Sequence, residues 1–168
     1  MMKAVRPWLA AIALGAVTLT GGCTPGDAVS ASGEAEAATV VTIKSSTGAH
    51  VFKVDLADSE PEQQKGLMYR TGIPKDGGML FAPYPPGGGA PREASFWMKN
   101  TPSPLDIIFI RADGTIARIA ENTIPFSENP VPSGEPVAAV LEINGGRALE
   151  LGIVEGDSVS WTGKKQGS

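Results

Sequence analysis

Two carboxylates stand inside apolar runs, where a charge is costly. Asp106 lies in Leu-Asp-Ile-Ile-Phe-Ile and Glu142 in Val-Leu-Glu-Ile-Asn. Strand alternation puts Asp106 on one face with Ile108 and Ile110, and Glu142 on one face with Ala138 and Val140. An acid in such surroundings needs a cation, a set of amide donors or a raised pKa. Arg70, Lys99 and backbone amides are the candidate partners. In a functional reading, Asp106 and Glu142 belong to a polar cluster at a pocket, and one of them acts as general base or ligand acceptor. In a structural reading, they anchor a hydrogen-bond network that fixes the turn Asn100–Pro104.

Other side chains offer further chemistry. Trp97 and Lys99 fall on the same face if residues 95–99 are a strand, and a ring beside a cation is a platform for a sugar or a planar group. Core packing is the alternative for Trp97. Met68, Met79 and Met98 could bind Cu(I) through their thioethers, or simply fill irregular core volume. Asn144-Gly145-Gly146 could hold an anion on free amides or cap a helix. Nucleophilic catalysis is poorly supplied: His50 is the single imidazole, Cys23 lies outside the folded region, and there is no Gly-x-Ser-x-Gly. With one Cys and one His, a structural zinc site lacks ligands. No metal or cofactor is expected.

These residues must be held by short elements. The chain has 168 residues with 42% hydrophobic composition, enough for one domain with a core. Gly 21 and Pro 14 favour short strands joined by turns. Strands are predicted at 39–44, 51–57, 95–99, 105–111, 115–121, 137–143 and 157–161, with an apolar segment at 79–81. Ser59-Glu60-Pro61-Glu62 resembles a capping box opening a short helix that Gly66 ends. A second short helix follows Asn144 and closes at Gly152. Ala112-Asp113-Gly114 signals a hairpin. Residues 82–93 and 123–136 read as proline-rich loops. The expectation is a mainly β fold: a small single-domain β-barrel or sandwich of about seven to eight short strands with one or two short helices.

The first residues read as an address. Lys3 and Arg6 precede the apolar run Leu9–Leu19, too short to span a bilayer. Leu19-Thr20-Gly21-Gly22-Cys23 follows, which resembles a bacterial lipobox. This predicts a signal peptide over 1–22, lipidation of Cys23, a flexible linker to residue 38, a domain over 39–165 and a tail over 166–168. Thioether linkage would also consume a thiol that has no partner in an oxidising compartment. The expected location is extracytoplasmic, tethered to a membrane. Lys+Arg 14 against Asp+Glu 18 gives a net charge of −4, which argues against nucleic acid as a partner.

Several segments taken in order carry a resemblance: Gly66-Leu67-Met68-Tyr69-Arg70, Gly78-Met79-Leu80-Phe81, Phe96-Trp97-Met98-Lys99-Asn100-Thr101 leading into Pro104–Phe109, and Val140–Gly146. From about Val51 to Trp161 the chain is similar to the bacterial and archaeal family called domain of unknown function 192. The resemblance implies a compact β-rich domain, often exported, and no established activity, substrate or catalytic residue. The loop Pro83–Pro91 and the pair Pro102-Ser103 depart from the family pattern. The functional expectation is a non-enzymatic envelope lipoprotein domain that binds a small molecule, glycan or protein. Its pocket would be rimmed by the Pro/Gly loop, with Arg70, Trp97, Lys99, Asn100, Asp106 and Glu142 nearby. The alternatives are a carboxylate-based hydrolase using Asp106 and Glu142, and a methionine-based copper protein.

Overall fold

A computed structural model describes residues 38–162 of the chain. The expected signal peptide, Cys23, nearly all of the linker and the tail over 166–168 lie outside the described residues. Within them the order is β1 (Thr39–Ser45), β2 (Gly48–Ala57), α1 (Glu60–Lys65), β3 (Gly78–Phe81), β4 (Arg92–Phe96), β5 (Leu105–Ile110), β6 (Ile116–Ala120), β7 (Val131–Val137), β8 (Ala139–Asn144), α2 (Arg147–Leu151) and β9 (Ser158–Thr162). The fold is mainly β, with nine strands where seven to eight were predicted.

Seven strands form one sheet in the order β6-β5-β8-β3-β2-β1-β9. All its pairings are antiparallel except β2 with β3, which α1 connects. The sheet curls until its two edges meet through a bridge between Thr115 and Ser158. This half-closed barrel encloses one apolar cluster, including Val41, Ile43, Phe52, Leu80, Ile108, Leu141 and Val159. A second cluster covers the outer face of the central strands and includes Leu67, Met79, Phe81, Met98, Ile107, Phe109 and Val140. The strands β3, β5 and β8 are therefore buried on both faces. That explains why they read as continuous apolar runs rather than alternating ones. Each fully buried Leu, Ile or Phe contributes roughly 1.5–3 kcal/mol by leaving water.

The strands β4 and β7 form a separate ribbon beside the outer cluster. Here the sequence expectation fails twice. The loop predicted over 123–136 becomes strand from Val131 on, although it contains Pro132 and Pro136. Prolines are tolerated because β7 pairs with β4 alone, so one side of the strand has no ladder for a proline to interrupt. The strand predicted over 95–99 instead begins at Arg92 and stops at Phe96. It stops because the Met98 amide bonds to the Ser127 carbonyl at 2.8 Å, turning the chain away. A register shift near Ala94 leaves its amide off the ladder, and the buried Ser133 hydroxyl accepts it at 2.9 Å.

Local signals act as predicted at α1 and at the hairpin. Ser59 and Glu62 form the capping box. Asp113 accepts the Thr115 amide at 2.9 Å and its hydroxyl at 2.7 Å, closing the β5–β6 turn. Asn144, however, does not cap α2. It ends β8, and its amide donates to the Pro74 carbonyl at 2.7 Å, while Gly146, with φ of 79°, precedes the helix.

Gly78 is required by contact as well as by conformation. It opens β3 opposite Ile143, with φ of 153°, and a Cβ there would overlap the Glu142 carbonyl oxygen. Gly78→Ala is expected to push β3 off β8 and to destabilise the domain by roughly 3 kcal/mol or more. Urea unfolding measures this; a variant within about 0.5 kcal/mol of wild type would contradict the close approach.

Candidate functional site

The strand register separates the two acids. Asp106 pairs with Ile143, and Glu142 pairs with Ile107. Paired residues share a face, so Asp106 lies on the face of the inner cluster and Glu142 on the face of the outer one. They cannot flank one bond, and a hydrolase that uses both is withdrawn.

Asp106 is buried at an end of β5 and is fully engaged. One carboxylate oxygen accepts the amides of Asn122 at 2.7 Å and Gly146 at 2.8 Å; the other accepts the Ala148 amide at 2.8 Å. In the segment 144–146, the Gly145 amide bonds to the Pro104 carbonyl and only the Gly146 amide holds an anion, which is the protein's own carboxylate. Neither Lys99 nor Arg70 pairs with it. Gly145 packs tightly beside it: a Cβ there would sit 2.7 Å from Asn122 Oδ1 and 3.0 Å from the Pro104 carbonyl carbon.

Glu142 has the opposite environment. It is 4% exposed, and no hydrogen bond or salt bridge reaches its carboxyl among the described residues. Burial alone pushes its pKa up to about 8. The carboxyl lines a cavity of about 540 Å³ between α1, the 82–92 loop, β4 and the turn that follows it. Aromatic side chains make much of the wall: Phe81, Tyr84, Phe96 and Trp97. Phe96 stacks edge-on against Phe81 at 5.0 Å between centroids and lies 6.0 Å from Tyr84. From the proline-rich loop, Tyr84 and Pro86 contribute to the lining.

The predicted site residues thus divide. Glu142 and Trp97 line the cavity. Trp97 is not a core residue: it is 46% exposed, because the chain leaves the strand at Phe96. Lys99 does stand over its ring, with Nζ 5.0 Å from the centroid, and also approaches Glu128 at 3.7 Å. Asn100 holds the turn with φ of 54°, and its carbonyl accepts the Tyr69 amide at 2.7 Å. Arg70 pairs with Asp55 on the surface, so it is not a partner of Glu142. Met79 and Met98 are packed in the outer cluster, whereas Met68 lines the cavity. His50 is half-buried and bonded to Ser45 and Thr47.

The sequence reading missed Gln63, Tyr84, Arg92 and Thr101. Only Tyr84, set among prolines in the loop, carried a signal. Gln63 follows the capping box, and its amide nitrogen donates to the carbonyls of Ala57 at 3.0 Å and Pro83 at 2.8 Å.

Two predictions follow from the contrast between the acids. Asp106→Ala leaves three amides without an acceptor and is expected to cost roughly 3–5 kcal/mol; Asp106→Asn should cost less, because one acceptor oxygen remains. Urea titration of both variants tests this order. For Glu142 the folded protein holds a proton that the unfolded chain releases above its ordinary pKa of 4.5. This group's contribution to stability therefore falls as pH rises from about 4.5 to about 8 and is level beyond. Glu142→Gln should flatten that decline and stabilise the protein at pH 8 by roughly 3 kcal/mol. Melting temperatures across this range, with unchanged slopes in the variant, would refute the assignment.

Comparison with known proteins agrees with this architecture. A crystal structure of a protein of unknown function from Novosphingobium aromaticivorans DSM 12444 is similar, with 48% identity and a TM-score of 0.68; the match covers 73% of this chain and 84% of that one. A second, from Sinorhizobium meliloti 1021 and provisionally named a transcription regulator, has 42% identity and a TM-score of 0.69, covering 77% and 98%. No curated protein matches the chain. The family profile of DUF192, described as Uncharacterized ACR, matches residues 41–161. Motifs, fold and match coincide over the whole β-rich region, and the chain belongs to the DUF192 family.

Proposed function

We propose that this chain is a lipid-anchored envelope protein whose domain binds a small organic molecule or glycan unit in the cavity floored by Glu142. The observation that carries the reading is a buried carboxyl without a partner among the described residues, lining an aromatic-walled cavity. Cavities of this size, where aromatic side chains and several polar groups converge, are what small ligands occupy. Trp97 offers a ring at the mouth, and Gln63, Gln64, Ser95 and Thr101 offer polar atoms around it. Binding residues on loops held by a rigid sheet are the usual arrangement. The anchor rests on Lys3, Arg6, the apolar run and Cys23. The regulator name attached to the Sinorhizobium protein is not carried over, since a net charge of −4 suits a phosphate backbone poorly.

Two measurements test the two halves. The full chain expressed in a bacterial host should partition with membranes and carry acyl mass at Cys23, and Cys23→Ser should release it to the soluble exported fraction. A soluble wild-type chain with an unmodified Cys23 would end the anchor. For binding, NMR titration with glucose, N-acetylglucosamine and phenyl-bearing alcohols and amines should shift resonances of Trp97 and Glu142 for at least one probe. Trp97→Ala should weaken that probe by about tenfold or more without loss of fold. Probes that leave every cavity resonance unmoved would overturn the binding reading.

A further inference from the structure

We infer that the ligand group seated at the floor of this cavity is a protonated amine, held between the Glu142 carboxylate and the Gln63 side-chain oxygen against aromatic walls. The inference rests on the cavity being a binding site and names the chemistry it selects. Gln63 Oε1 is buried and has no hydrogen-bond partner among the described residues. Its orientation is set, because the amide nitrogen is committed to the Ala57 and Pro83 carbonyls; reversing the amide would place oxygen against two oxygens. Gln63 therefore has only an acceptor left to offer a ligand. Glu142, once ionised, also only accepts. Both residues line the same cavity.

Two unsatisfied acceptors call for a group made only of donors. An ammonium carries three donors and no acceptor. The walls suit it as well, since the faces of aromatic rings attract cations. Two rings of this site already do so with the protein's own residues: Arg92 stands 5.6 Å from the Tyr84 centroid, and Lys99 stands 5.0 Å from that of Trp97. A hydroxyl could donate to only one of the two acceptors. A carboxylate could satisfy neither without a shared proton.

The other charged side chains that line the cavity carry a net of one positive charge, which an ionised Glu142 offsets. Glu60 and Lys65 on α1 and Arg92 on β4 line the cavity. Asp55, in the same cross-strand row beyond Met79, is paired with Arg70. Tyr84 is the remaining titratable wall residue. Burial raises the Glu142 pKa to about 8, so binding an ammonium to its carboxylate between pH 6 and pH 8 should release one proton.

The test uses 2-phenylethylammonium against its neutral counterpart 2-phenylethanol and the anion phenylacetate, by calorimetry and NMR on the wild-type chain. The amine should bind at least about tenfold more tightly than the alcohol at pH 8. Its affinity should rise about tenfold per pH unit between pH 6 and pH 7.5, and that of the alcohol should not. Glu142→Gln should abolish both the preference and the pH slope while the alcohol still binds. Gln63→Met should weaken the amine several-fold with the slope intact, which keeps the test open if Glu142→Gln folds poorly. If the alcohol or phenylacetate binds as tightly as the amine, the cavity binds ligands but the ammonium inference fails. If no probe moves a cavity resonance, the binding reading itself fails.

Discussion

The architecture turns on a buried carboxylate that collects three backbone amides. Asp106 ties Asn122, Gly146 and Ala148 to one end of β5. Those amides come from the segment after β6 and from the start of α2, which are distant in sequence. A charge in the barrel wall is tolerable only when its lone pairs are engaged, and amide N–H groups engage them without a counter-cation. In return, the irregular chain at this end of the barrel acquires a fixed course. The turn 100–104 is held from the other side, by Asn100, Thr101 and the close packing of Gly145 on Pro104.

The same sheet then carries a second acid under the opposite rule. Glu142 sits on the neighbouring strand, one residue out of phase, and faces the outer cluster. Among the described residues it receives no amide and no cation. Burial holds the proton on it instead, with a pKa near 8. An arrangement that lowers stability as pH rises is worth keeping where the carboxyl serves a ligand. Residues that are poorly satisfied in the free protein and line a cavity are where such a cost is found.

The cavity is assembled from pieces that have little in common locally. The capping-box helix supplies Gln63, a proline-rich loop supplies Tyr84, and a two-stranded ribbon supplies Arg92 and Phe96. The interrupted strand supplies Trp97. The ribbon matters most here. Because β4 ends at Phe96, Trp97 turns outward to the cavity mouth with Lys99 on its face, and Met98 alone returns to the core.

By itself the amino-acid sequence determined the mainly β class, the apolar runs of the central strands, the helix begun by Ser59 and Glu62, and the Asp113-Gly114 hairpin. Each depends on neighbours within a few residues, or on an apolar run that has only one way to be buried. Composition also showed that Asp106 and Glu142 are costly where they stand. It did not show which acid would be satisfied, because that depends on which amides and cations the fold brings near. Arg70 and Lys99 were reasonable partners by charge, yet they pair with Asp55 and Glu128. Nor could it reveal that β7 would form through two prolines, since an unpaired edge exists only after the sheet is built. The tertiary structure alone decided those pairings, the opposite facing of the two acids and the existence of the cavity, for all three arise from register and packing between segments far apart in the chain.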